Sequence, residues 1–144
     1  MSAYADTSFL FSLYVQQSHS AAAAEYMAQA GEPVLVTSFS RFELCNAIRL
    51  CVFRKLIERR LATEDLKLIA RDIANGVLAL SPCDWTAVHE QAERLSREYT
   101  MAKGHRGMDL LHVASALTLG AGDFLTFDQN QAQLAVNAGL AVKP

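Results

Sequence analysis

The chain has 144 residues, room for one domain with a real core, and 51% of them are hydrophobic against 19% charged. Seven glycines and three prolines are too few for a disordered, collagen-like or linker-dominated chain. Thirteen Lys and Arg against fifteen Asp and Glu give a formal charge of −2, so there is no global basic field and any polyanion must be met by a local patch. In chain order, Met1 to Ala5 predicts a brief strand, and Asp6, Thr7 and Ser8 offer oxygens to cap a helix starting near Phe9. A second helix covers Ser20 to Ala30 and stops at Gly31. Pro33 to Val36 reads as a buried strand, Thr37 or Ser38 caps a long helix from Phe39 to Leu56, and another helix follows from Thr63 with Glu64 and Asp65 in its first turn. Val77 to Leu80 is the third strand, closed by Ser81 and Pro82, and Asp84 to Tyr99 is helical. Met101 to Arg106 reads as a polar connection, Gly107 to Leu119 as a strongly apolar helix, and Asp123 to Phe127 as the fourth strand. A helix from Asp128 and a fifth strand at Leu140 to Val142 complete the chain. Short apolar strands alternating with helices predict a single α/β domain, a three-layer α/β/α sandwich around a mostly parallel sheet of four to five strands.

No stretch reaches the roughly 18 apolar residues of a membrane span. The start of the chain, with Asp6 and no basic stretch before a long apolar run, does not read as a signal peptide. Cys45, Cys51 and Cys83 are odd in number and lack CxxC spacing, which fits free thiols in a reducing cytoplasm better than a zinc site or a disulfide framework.

Four acids fall where this topology predicts a shared location. Asp6 follows the first strand, Asp128 follows the fourth, and Glu43 lies in the first turns of the helix after the second. All three sit at the carboxyl ends of the strands, where parallel α/β sheets bind ligands. Asp109 begins a helix whose other residues, from Leu110 to Leu117, are apolar nearly all round. A carboxylate there must face a polar cavity, a cation or the free N–H groups of its own helix. Four carboxylates together repel one another, and a hard divalent cation relieves that penalty. Oxygen ligation suits Mg²⁺ or Mn²⁺ and, with it, metal-assisted phosphodiester hydrolysis. Taken singly, Asp6 and Asp128 also read as helix N-caps, and Glu43 as a helix-surface acid.

The residues around these acids resemble the motifs of PIN-domain proteins, in particular the VapC-type ribonuclease toxins of bacterial or archaeal toxin–antitoxin pairs. The matching stretches are Ala5-Asp6-Thr7-Ser8, Ser40-Arg41-Phe42-Glu43-Leu44 with Asn46 following, Gly107-Met108-Asp109-Leu110-Leu111-His112 continuing to Leu117, and Phe124-Leu125-Thr126-Phe127-Asp128. They occur in family order and span essentially the whole chain. The resemblance implies a PIN-like parallel α/β/α sandwich, a Mg²⁺- or Mn²⁺-dependent endoribonuclease leaving 5′-phosphate and 3′-hydroxyl ends, a small antitoxin partner and a homodimer. It also implies that Asp6 and Asp109 are direct metal ligands, that Asp128 completes the site directly or through water, and that Glu43 orients a metal-bound water. Ser8 and Thr126 match hydroxyl positions lining the same pocket.

Other residues carry weaker signals. Arg41, Arg49, Arg54, Lys55, Arg59 and Arg60 form one basic stretch and Arg94, Arg97, Lys103 and Arg106 another. Of these, Arg106 is the candidate for a phosphate contact, being so close to Asp109. His112 shares a helical face with Asp109 and reads as a packed, hydrogen-bonded histidine. His105 reads as a solvated loop residue, Trp85 and Tyr99 read as core, and His19 and His89 carry no signal. The helix from Phe39 to Leu56 has more apolar surface than one stripe needs, which is consistent with an interface or with burial inside the monomer. Two rival functions remain. Transfer through an aspartyl-phosphate fits poorly, because Ser8 stands where a second Asp is required and Ser81-Pro82 stands at the end of the third strand. A non-catalytic PIN-like module binding RNA or protein keeps the fold without metal-dependent turnover.

Overall fold

The computed structural model describes residues 2–144. Five strands, β1 (Ala3–Ala5), β2 (Val34–Val36), β3 (Leu78–Leu80), β4 (Asp123–Leu125) and β5 (Ala141–Lys143), form one sheet in the order β3-β2-β1-β4-β5. Every pairing is parallel. Helices cover both faces, so central strands read as unbroken apolar runs instead of alternating ones. The pleat still divides the side chains of β1. Ala3 and Ala5 pack on one face and Tyr4 on the other, and all three are buried.

On the Ala3 and Ala5 face lie α1 (Thr7–Tyr14), α2 (Ser20–Gln29), α3 (Ser38–Phe53) and α4 (Arg59–Ala74), contributing Phe9, Leu10, Ala23, Leu44, Ile48 and Ile69. On the Tyr4 and Phe124 face lie α5 (Trp85–Leu95), α7 (Gly107–Thr118) and α8 (Gln129–Asn137), contributing Val88, Leu95, Val113, Ala114 and Leu134. Trp85 and Tyr99 are half-buried against this second core, as expected. Cys45, Cys51 and Cys83 are unbridged, and no described helix is long and apolar enough to cross a membrane.

The boundaries differ from the sequence reading in instructive ways. Helix α1 starts at Thr7, earlier than the expected Phe9, because Asp6 alone serves as its N-cap and accepts the Phe9 amide. Helix α3 stops at Phe53, short of Leu56, as Lys55 turns into the left-handed region at φ 59°. That turn also lets α4 begin at Arg59 instead of Thr63. The expected polar connection is partly helical: α5 runs on through a π-helical turn (Ser96–Thr100) into α6 (Met101–Lys103). Gly104, at φ 71° and ψ 53°, ends it. Beyond that reversal His105 is buried, contrary to the solvated position expected, and its two ring nitrogens have no partner among the described residues. Strand β4 ends at Leu125, freeing Thr126 and Phe127 to turn toward α1, where the Phe127 amide donates to Ser8 Oγ at 3.0 Å.

This topology fixes where ligands go. The strand order changes direction at β1, with β2 on one side and β4 on the other. A crevice opens at such a switch point, outside the carboxyl ends of the strands. Helices α1, α3 and α8 start there because each follows a strand. Helix α7 starts there because it must run back across the sheet to begin β4.

Candidate acidic active site

Asp6 leaves β1 with its amide still bonded to the Leu125 carbonyl at 3.0 Å, then caps α1. Its Oδ1 accepts from Ser8 Oγ at 2.7 Å and the Phe9 amide at 2.9 Å, and its Oδ2 accepts from Thr126 Oγ1 at 2.5 Å. Only 1% of the residue is exposed. Burial pushes its carboxyl above the ordinary aspartate value, and the bonds from Thr126, Phe9 and Ser8 offset this only in part. Ser8 and Thr126 thus both bond to Asp6 and lie 3.2 Å from each other, and the Asp128 amide donates to Thr126 Oγ1 at 3.0 Å. Of these two hydroxyls, both expected to line the pocket, Ser8 lines the acidic cavity and Thr126 is buried behind it.

Glu43 projects from α3, whose start is locked by a capping box between Thr37 and Ser40. Its Oε1 accepts from Thr7 Oγ1 and lies 2.7 Å from His112 Nε2. The Nδ1 of the same imidazole lies 2.9 Å from the Tyr4 hydroxyl. Proton direction follows from chemistry. An ionised carboxylate only accepts, so Nε2 of a neutral His112 carries the hydrogen and Nδ1 accepts from Tyr4. Burial pushes the Tyr4 phenol well above its ordinary value, keeping it a donor. Burial also pushes Glu43 up, but the bonds from His112 and Thr7 outweigh it and the carboxyl ends below its ordinary value. His112 is packed and hydrogen-bonded, as the sequence suggested; the sequence did not reveal that its partner is Glu43.

Asp109 lies in the first turn of α7, which has no side-chain N-cap of its own. A carboxylate there meets the positive end of the helix dipole. Arg106 Nε donates to Asp109 Oδ2 at 3.2 Å, while its side chain is 78% exposed, so the guanidinium stands at the mouth of the site in water. Asp128 caps α8, accepting the Gln131 amide on Oδ1 at 2.9 Å, and Gln131 Nε2 donates to the Asp109 carbonyl at 3.2 Å, tying α8 to α7. Asp123, at the other end of β4, pairs with Lys143 at 3.1 Å and takes no part.

Glu43, Asp109 and Asp128 line one cavity of about 350 Å³, together with Thr7, Ser8, Arg106 and His112. Asp6, the fourth acid expected here, does not line the cavity; it stands one hydrogen bond behind it, through Ser8. Each of the three lining acids commits one oxygen to protein donors and leaves the other without a bond to the described residues. Such a donor set fits a hard divalent cation. As the side chains stand, no three described Asp, Glu, His or Cys residues converge on one point. Thr7 was missed by sequence reading. Its only signal is its place inside Asp6-Thr7-Ser8, where a hydroxyl on the first turn of α1 faces α3.

A three-layer parallel fold with acids gathered at its switch point defines a class, and the PIN domain pattern matches residues 3–137: the chain belongs to the PIN-domain family. No curated protein sequence matches it. Among solved structures it resembles Mycobacterium tuberculosis VapC20, described as a sarcin–ricin loop cleaving toxin, with a TM-score of 0.72 at 18% identity over 99% of this chain and 100% of that one. It also resembles VapBC-1 from nontypeable Haemophilus influenzae, with a TM-score of 0.68 at 15% identity over 99% and 97% of the two chains. FitAcB from Neisseria gonorrhoeae superposes with a TM-score of 0.65 at 15% identity over 99% and 96%.

Proposed function

We propose that the protein is a metal-dependent endoribonuclease and the toxin of a toxin–antitoxin pair. The observation that carries this reading is that Glu43, Asp109 and Asp128 line one cavity, with Asp6 one hydrogen bond behind it and Arg106 at its mouth. The family and the resemblance to VapC20, itself described as a sarcin–ricin loop cleaving toxin, support it. When bound, Mg²⁺ or Mn²⁺ supplies positive charge to the phosphoryl oxygens and lowers the pKa of a coordinated water. Asp109 and Asp128 would hold the ion through their free oxygens, and Asp6 would join them by giving up a bond from Ser8 or Thr126. Glu43, whose carboxyl the bonds from His112 and Thr7 hold below its ordinary value, offers its free oxygen to orient the attacking water. Arg106 binds a phosphate oxygen from the solvent side. Ser8 and Thr126 hold Asp6 in place, and Ser8 borders the substrate. Water adds to phosphorus and loses a proton to solvent, the P–O3′ bond breaks, and the 3′-oxygen takes up a proton from solvent to leave as a hydroxyl, giving a 5′-phosphate end.

The antitoxin reading is supported by the outer face of α3 and the turn to α4. There Phe42, Phe53 and Leu56 are 67%, 82% and 69% exposed, beside Arg49, Arg54 and Lys55. Such a patch suits a small partner protein, and the same face suits a homodimer. The test of the activity is cleavage of total RNA by the purified chain with Mg²⁺, with Mn²⁺ and with EDTA, beside Asp109→Asn. Fragments that require metal and vanish in the variant are expected. RNA binding without metal-dependent fragments in any lane overturns the nuclease in favour of a binding module.

A further inference from the structure

We propose that the cavity beside the carboxylates is a nucleobase subsite, which receives the base next to the phosphate being cut. It takes its ligand class from the ribonuclease reading above. This second cavity holds about 410 Å³ and adjoins the first, since Ser8 and Asp128 line both. Its wall is aromatic. The His19 ring stacks on Phe127 with centroids 4.5 Å apart and planes within 5°, and Phe127 stacks in turn on Phe9 at 5.7 Å and 14°. Three parallel rings therefore rise from the core, where Phe9 is fully buried, to the exposed His19 at the surface.

The chemistry of the cavity selects a flat, uncharged group. Among the described residues no Lys or Arg lines it, so it is not a second phosphate site. Its polar edge comes from Gln17, whose side-chain nitrogen donates to Ser12 Oγ at 2.7 Å and whose carboxamide oxygen has no bond to the described residues. A base stacked on the rings meets that carboxamide along its hydrogen-bonding edge, while its backbone phosphate lies over Ser8 and Asp128 at the metal site. His19 is also available for this task. It occupies the N-cap position of α2 but makes no side-chain cap bond, so its ring does not hold the helix.

The experiment uses the whole chain in EDTA, which prevents cleavage, with two probes: a labelled ten-nucleotide single-stranded RNA and the same ribose-phosphate backbone without bases. Stacking on one ring predicts that His19→Ala weakens binding of the base-bearing RNA about tenfold and leaves the base-free backbone unchanged. His19→Phe, which keeps the flat face and removes the ring nitrogens, restores wild-type affinity. Equal RNA binding by wild type and His19→Ala overturns the subsite. So does an equal loss on both probes, failure of His19→Phe to restore binding, or no binding of RNA at all. Cleavage is scored separately with Mg²⁺. His19-dependent binding without cleavage overturns the nuclease and leaves the base subsite standing.

Discussion

Helices α3 and α7 each deliver one acid to the cavity, yet they hold it by different means. From Asp109 onward α7 is buried almost without interruption, including His112, Val113, Ala114, Ser115 and Ala116. Asp109 is thus placed by packing between the sheet and α5. In α3 only Ser40, Leu44 and Ile48 are buried, and Phe42 and Phe53 face solvent. Glu43 is placed instead by side-chain bonds to His112 and Thr7. One acid is fixed by shape and the other by a polar relay rooted in Tyr4 of the central strand. Substitutions on the two helices should therefore fail in different ways.

The largest expected effect is on chemistry alone. Asp109→Asn keeps the volume and the packing of α7 but removes the charge, so cleavage should fall on the order of a thousandfold with the melting temperature nearly unchanged. RNA cleavage and a thermal melt on the same preparation check both halves. A variant that cuts at the wild-type rate breaks the assignment of Asp109. Ala114→Leu, five residues further on, should show the reverse signature of a packed helix. Added methyl groups at a position with no exposed surface should cost about 1–3 kcal/mol, read as a lowered denaturant midpoint.

The polar relay predicts an intermediate effect. Tyr4→Phe keeps the ring stacked on Phe124 but leaves the buried His112 Nδ1 without its donor, at a cost of about 1–3 kcal/mol. Cleavage should fall about tenfold, as when an outer partner of a site residue is removed. Nitrogen NMR of the wild type should find the His112 hydrogen on Nε2. A hydrogen on Nδ1 would break the relay as drawn and leave Glu43 held by Thr7 alone.

Asp6 gives a pH-dependent contrast with Glu43, measured in metal-free protein. Burial raises the Asp6 carboxyl in the folded state, so its contribution to stability is present below the unfolded value and is lost as pH rises through the folded one. Asp6→Asn should therefore melt a few degrees above wild type at neutral pH and lose that advantage in acid. Glu43 is shifted the other way, so its contribution is present above the unfolded value and is lost as pH falls through the folded one. Melts of Asp6→Asn and Glu43→Gln across the acid range should diverge in these opposite senses. Parallel curves would show that burial and bonding at the two acids do not differ as described.

Much of this architecture was legible because parallel α/β sheets announce themselves locally. Pro33 to Val36 and Phe124 with Leu125 are apolar without alternation, and Asp6, Thr37, Asp84 and Asp128 each cap the helix that follows. The positions of Asp6, Glu43 and Asp128 just after strands point them to the carboxyl edge of the sheet from the sequence alone. What stayed hidden depends on contacts distant in sequence. The bond between Tyr4 and His112 joins β1 to α7, and the stack of Phe9, Phe127 and His19 joins α1, the end of β4 and the start of α2. His105 misled because the left-handed turn at Gly104 buries a residue whose neighbours are polar.

The smallest expected effect is the one that tests the exposed side of the comparison. Phe53 is 82% exposed at the last position of α3, so in the isolated monomer Phe53→Ala removes little buried area and should change stability by no more than about 0.5 kcal/mol. Turnover should be unchanged too, since none of the cavity's bonds pass through that residue. If the face binds a partner protein, Phe53→Ala should weaken that complex by about 1 kcal/mol or more, as for an aromatic anchor at an interface. If it joins two copies, the same change should shift the oligomer toward monomer in sedimentation. A large loss of monomer stability would instead place Phe53 within the fold, and α3 would then resemble α7 after all.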